Sequence, residues 1–209
     1  MRRSCVSIHS IMKRLLIFVS LTFSLALVAK SPNVVFFLVD DLGWSDVGCF
    51  GSSFYETPHI DRLADEGVKF TSGYAACHVC SPTRASILTG KYPATMKLTE
   101  WLNGRSDRPF QALLNPDKAM VLDPNETTLA EVLSKEGYAT TLFGKWYLGS
   151  NTSPTGHGFD LHVPHSVNSN LGRRGFYNPK NIPGLDGGEY VTDRLAELAA
   201  KYIDENKDK

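Results

Sequence analysis

The sequence carries no surplus of either charge: 22 basic residues stand against 22 acidic ones, a formal net charge of zero at pH 7. Chains that grip nucleic acid through its phosphates usually show a basic excess, so no nucleic-acid partner is expected. Internal repeats and long low-complexity tracts are also missing, which sets aside solenoids, propellers and arrays. Cysteine is scarce, at four in 209 residues. Cys77 and Cys80 have C-x-x-C spacing, but no second C-x-x-C follows to complete a zinc site. A thioredoxin-like redox pair would want a strand-then-helix context without the Pro82-Thr83-Arg84 pattern that follows here.

What is present is ordinary core material, with 42% hydrophobic residues, enough for a globular interior. Part of it belongs elsewhere. The stretch "MKRLLIFVSLTFSLALVAK", from Met12 to Lys30, has a basic start, an apolar run and small residues at its end. It reads as a secretory signal peptide, too short and wrongly flanked for a stable membrane anchor. Cleavage is expected after Ala26 or Ala29, residues 1–11 extend the signal poorly, and Met12 is the expected start. The domain reading is therefore a signal over 1–29 and a mature domain over 30–209, exported to a periplasm or secreted. Cys5 leaves with the signal. The remaining Cys49, Cys77 and Cys80 are an odd count for an exported protein, so one is free, modified or paired elsewhere.

The mature chain opens on "PNVVFFLVDDLGWSD". Val34 to Val39 is a continuous apolar run that predicts a strand buried on both faces. It ends in Asp40-Asp41, at the carboxyl end of a strand, where open α/β sheets place their ligands. In "TPHIDRLADEG", Thr57 is the expected N-cap, Pro58 the first helical residue and Gly67 the stop. A short strand is expected over Val68 to Thr71. "NETTLAEVLSKEGY" predicts a helix with Leu129, Val132 and Leu133 on one face and Gly137 at its end. "YATTLFGKWYLG" predicts a buried strand that breaks at Gly144-Lys145. Residues 150–187 read as a long surface loop. A last helix starts near Glu189, with Val191, Leu195, Leu198, Ala199, Tyr202 and Ile203 at helical spacing. Alternating strands and helices imply an α/β fold with a parallel sheet.

The segment "CSPTRASILTG", Cys80 to Gly90, is the least ordinary. A structural cysteine sits among apolar neighbours, but Cys80 is followed by residues that open helices, Ser81, Pro82 and Thr83. A helix N-terminus favours an anion, and Arg84 lies one turn in on the same face. Asp40 and Asp41 offer oxygen ligands to a hard cation, Ca²⁺ or Mg²⁺. Lys145 leaves another strand end. Together these groups would converge on a tetrahedral anion, with Cys80 in the nucleophile's place.

On these residues the chain resembles the type I sulfatases of the arylsulfatase family. "CSPTRASILTG" resembles their first motif, C-x-P-x-R, and "GYATTLFGKWYLG" their second; "PNVVFFLVDDLGWSDVGCFG" and "TPHIDRLADEGVKFTSGYA" also fit. The resemblance covers Pro32 to the end. It implies an alkaline-phosphatase-like sandwich, a central mostly parallel sheet flanked by helices, and hydrolysis of sulfate esters. It implies that a maturation enzyme oxidises Cys80 to formylglycine, whose hydrate has two hydroxyls, one attacking sulfur and the other helping to expel sulfate. Asp40, Asp41 and the modified Cys80 are implied cation ligands. Arg84 is similar to the arginine that steadies formylglycine, and Lys145 to the lysine that touches formylglycine and sulfate. Ser166 is aligned with a sulfate-contacting residue. The substrate implied is a sulfated small molecule or carbohydrate.

Two departures stand out. The family motif G-K-W-H is Gly144-Lys145-Trp146-Tyr147 here, and a tyrosine, with an ordinary pKa near ~10, is a poor base at neutral pH. The family's further Asp, Asn, Lys and His ligands come from a downstream region, and at about 180 residues after processing the chain reads as an amino-terminal part, truncated before the carboxyl half. An inactive sulfatase-like protein and a phosphoester or phosphonate hydrolase of the same fold are the alternatives. His157, Asp160, His162 and His165 form an H-x₄-H-x₂-H cluster, better explained as loop residues than as a metal site. His59 reads as a surface or capping residue. Trp44, Trp101 and Trp146 suit a sugar pocket or a core, and Asn125 and Asn151 head glycosylation sequons.

Overall fold

The computed structural model describes residues 31–164 and 189–208. The signal-peptide reading, Cys5, His165 and Ser166 lie outside the described residues. The chain divides into two units, residues 1–38 and 39–209. The described part of the first, residues 31–38, forms no helix or strand and is exposed, with Phe37 81% accessible.

This corrects the expected strand over Val34 to Val39, which forms no ladder. A doubly buried strand needs neighbours on both edges and helices on both faces, and the sheet of the described residues has two strands. The strand expected over Val68 to Thr71 is likewise a turn and irregular chain.

In the second unit the helical signals hold. Helix α1 spans Pro58–Glu66 with proline in its first turn and Gly67 as C-cap. Thr57 is its N-cap without the expected side-chain cap bond. Its hydroxyl instead accepts from Gly48 N at 2.8 Å and donates to Asp61 Oδ1 at 3.1 Å. Helix α2 spans Cys80–Thr89 and stops at Gly90, whose φ of 68° is the left-handed conformation that suits glycine. Helix α3, Leu129–Lys135, starts on a capping box between Thr128 and Glu131. Its expected apolar face is only partly covered, for Leu129 and Val132 remain exposed.

Strand β1, Thr141–Gly144, pairs in parallel with β2, Leu161–Pro164, in the register Thr141 with Leu161. The expected loop over 150–187 is thus corrected in its first part, which holds a 3₁₀ turn at Pro154–His157 and then β2. Thr140 sets the crossover: its N and Oγ1 both bond Asp160 Oδ2, and Oγ1 also donates to Gly158 O at 2.7 Å. Helix α4, Val191–Asn206, follows the predicted spacing and brings Tyr202 against Phe143 of β1, ring centroids 6.0 Å apart.

The core is small: Ala85, Leu98, Leu122, Trp146 and Leu148, with Leu88, Met96, Leu142 and Phe159 around it. Trp146 fills this core rather than a sugar pocket, its indole N–H donating to Thr152 Oγ1 at 3.1 Å. Because α2 supplies Ala85 and the chain after β1 supplies Trp146 and Leu148, the core fixes these two segments against each other. That places the candidate site.

Candidate active site

Helix α2 begins at Cys80, which is half-buried and a free thiol, as are Cys49 and Cys77. Its N-cap is Val79, extended and with no side-chain cap bond, and Ser81, Pro82 and Thr83 lie in the first turn, where they open the helix without capping it. Ser81 is instead an anchor: fully buried, it accepts from Leu102 N at 3.1 Å. Thr83 folds the preceding chain onto the first turn, accepting from Cys77 N at 3.1 Å and donating to Cys77 O at 2.7 Å.

One turn on, Arg84 reaches across to the other segment. Its Nη1 donates to Lys145 O at 2.8 Å, and its Nη2 meets Asp40 Oδ1 at 3.4 Å. The other Asp40 oxygen, Oδ2, accepts from the Lys145 ammonium. Asp40, Arg84 and Lys145 are thus one charge cluster. The Lys145 Nζ also lies 4.5 Å from the centre of the Tyr147 ring, within cation–π range. Of the residues singled out from the sequence, the structure brings together Asp40, Arg84, Lys145 and Tyr147. Cys80 heads the helix that carries Arg84.

The electrostatics follow from this geometry. Partial burial pushes the Asp40 carboxyl up, but the Lys145 bond and charge, joined by those of Arg84, outweigh it, and the carboxyl titrates below its usual range. The Arg84 Nε is buried with no hydrogen-bond partner among the described residues. A buried guanidinium N–H without an acceptor is costly, and the cost is borne by the Nη bonds to Lys145 O and Asp40. Backbone strain gathers here too. Asp41, at φ 58°, and Tyr147, at φ 57°, are two of the three described non-glycine residues with positive φ. Such conformations are uncommon outside glycine and concentrate at functional sites.

A hard divalent cation fits the donor chemistry but not the donor number. Asp40 and Asp41 are oxygen donors, whereas Ca²⁺ takes about 6–8 oxygens. Among the described residues no group of three or more His, Cys, Asp or Glu side chains gathers as a metal site, and both Asp40 oxygens already face cations. The described residues of the histidine cluster do not form a site either. His157 is buried against the Trp146 ring, centroids 5.4 Å apart, His162 Nε2 bonds Gly144 O at 3.0 Å, and Asp160 holds Thr140.

The sequence reading missed the partnerships within the site: Asp40 with Lys145 and Arg84, Arg84 with the Lys145 carbonyl, and Lys145 with the Tyr147 ring. The last of these joins residues two apart in sequence, but the left-handed backbone at Tyr147 that brings ring and ammonium together has no signature in the residue pattern.

Comparison with known proteins agrees with the motifs. A family model described as Sulfatase matches residues 32–209. The mouse steryl-sulfatase is 41% identical over 145 residues, 65% of this chain and 22% of that one. Bovine arylsulfatase A is 38% identical over 144 residues, 66% of this chain and 26% of that one. The matched part thus spans about a quarter of those relatives' length. Among solved structures, Ps i-CgsB superimposes with a TM-score of 0.64 at 27% identity, over 84% of this chain and 42% of that one. Its complex with k-i-k-neocarrahexaose matches with a TM-score of 0.60 at 26% identity, over 81% and 40%.

Proposed function

The chain belongs to the sulfatase family, and from that premise we propose that it supplies the nucleophile and anion-binding half of a sulfuric ester hydrolase. Its fold is the alkaline-phosphatase-like α/β fold of its structural neighbours, of which it covers part. The observation that carries the proposal is the gathering of the Arg84 guanidinium and the Lys145 ammonium at Asp40, one turn into the helix that Cys80 opens. An ester sulfate presents oxygens to such a pair, and the two cations offset its charge.

In this reading Cys80 is a precursor. A formylglycine-generating maturation enzyme, using an external two-electron oxidant, replaces its C–S bond by a C=O bond with release of the sulfur, and the hydrate of the resulting aldehyde supplies the hydroxyl nucleophile that a thiol does not. Arg84 orients residue 80 and the sulfate, held in place by its bonds to Lys145 O and Asp40. Lys145 binds sulfate oxygen. Ser166 is a further proposed contact. Asp40 and Asp41 are the proposed oxygen donors to Ca²⁺ or Mg²⁺, short of a full set in the described residues. The substrate is a sulfated small molecule or sulfated carbohydrate, met outside the cytoplasm, in a periplasm or secreted; no helix of the described residues is long and apolar enough to cross a membrane.

One observation favours a second reading, a sulfatase-like protein without turnover: Lys145 and Arg84 already occupy the carboxylate that the cation needs. Co-expression with a maturation enzyme, followed by hydrazide capture and peptide mass spectrometry, separates the two. The expected result is an aldehyde at Cys80. An unmodified thiol, in a host shown to convert another sulfatase, would overturn the enzyme reading.

A further inference from the structure

We propose that Tyr147 is a positioning residue for Lys145, acting through the face of its ring and not through its hydroxyl. The inference rests on the sulfate-binding role given to Lys145 above. Four observations carry it. The Lys145 ammonium lies 4.5 Å from the centre of the Tyr147 ring, and an aromatic face attracts a cation at that range. The residue between them, Trp146, is locked in the core by packing and by its bond to Thr152, so the backbone on either side is fixed. The Lys145 carbonyl is held by Arg84. Finally, Tyr147 stands at φ 57°, a conformation that a bulky residue adopts only where its surroundings demand it.

The strained backbone therefore has a consequence: it turns the ring under Lys145 rather than away into solvent. The lysine is then held at three points, its carbonyl by Arg84, its ammonium by Asp40, and one flank of that ammonium by the ring. A flexible four-carbon stem otherwise spreads its ammonium over many positions. The ring narrows that spread without adding a second negative charge beside the one Asp40 already supplies. Any six-membered aromatic ring at this position serves equally, because the quadrupole belongs to the ring and the hydroxyl has no part in it.

The experiment uses the full chain labelled with ¹³C-lysine. The Lys145 side-chain resonances, assigned through Lys145→Arg, should be displaced upfield by the ring current in the wild type. Tyr147→Phe should keep that displacement. Tyr147→Asn should abolish it, and asparagine tolerates the left-handed backbone, so the fold is kept. Titration with inorganic sulfate, followed at the same resonances, should show unchanged affinity in Tyr147→Phe and about a 2–5-fold loss in Tyr147→Asn. Undisplaced wild-type resonances, or a Tyr147→Phe variant that behaves like Tyr147→Asn, would overturn the proposal. A wild type that shows the ring-current shift but binds no sulfate would overturn the sulfate-binding role of Lys145 and still support the ring seat.

Discussion

Arg84 Nη1 donates to the carbonyl oxygen of Lys145 at 2.8 Å, a bond that joins α2 to the chain leaving β1 across 61 positions of sequence. The side chain that makes it is 11% exposed, so the bond is shielded from water. Only a planar fork sends one nitrogen to this carbonyl and a second to Asp40; a lysine has one nitrogen for both. Arg84→Lys keeps the charge and loses the geometry. It is expected to destabilise the chain by about 1.5–3 kcal/mol, the range for hydrogen bonds to charged groups. Urea unfolding should show the midpoint fall at constant slope. A midpoint equal to wild type would mean that the two segments are held by the core alone.

Gly158 is the second point where one atom decides the fold. It sits at φ 89°, and a Cβ there would lie 2.4 Å from Glu131 N and 2.5 Å from Glu131 Cγ, inside the capping box of α3. Its carbonyl accepts from Thr140 Oγ1, so it cannot move away without loosening the start of β1. Gly158→Ala should cost more than about 2 kcal/mol, strain and collision together. A thermal midpoint unchanged within error would show that α3 shifts freely.

Much of this was legible because it is local. Gly67, Gly90 and Gly137 mark helix ends through residues a few positions apart. Lys145 follows β1 directly, as the break at Gly144 predicted. Strand β2 was hidden because its four residues, Leu161 to Pro164, include a histidine and a proline and are too few to show a period. Its pairing is set from a distance by Thr140 and Asp160. The apolar run from Val34 announced a strand whose ladder the described residues do not form. The site was read as residue types gathering on an anion. That Lys145 and Arg84 would meet first on Asp40 has no signature in sequence, because it depends on how α2 and the β1 segment pack.

That packing predicts the behaviour of the cation site. With Asp40 shared between an ammonium and a guanidinium, Ca²⁺ must compete for it. Calorimetry on the chain should find binding weaker than about 10⁻⁴ M, at or beyond the weak end of known sites. Lys145→Ala removes the closer competitor and should tighten Ca²⁺ binding. Submicromolar affinity in the wild type, or no gain in Lys145→Ala, would show that Asp40 is not limiting.

The same cluster makes stability depend on acid. The folded Asp40 carboxyl titrates below its ordinary value, the cations Lys145 and Arg84 overcoming the effect of partial burial. A depressed carboxyl pKa adds stability that is present above the unfolded value of about 3.9 and lost as pH falls through the lower folded value. The Asp40 contribution should therefore be constant near neutrality and fade below about pH 4. Asp40→Asn removes the titrating group, leaving Lys145 and Arg84 facing a neutral amide. With chelator present to exclude adventitious cations, the variant should be less stable than wild type at about pH 6, and the gap should narrow as pH falls below about 4. Denaturant midpoints across that range read the difference directly. A gap that stays constant, or widens in acid, would mean that Asp40 is not the carboxylate those two cations hold in solution.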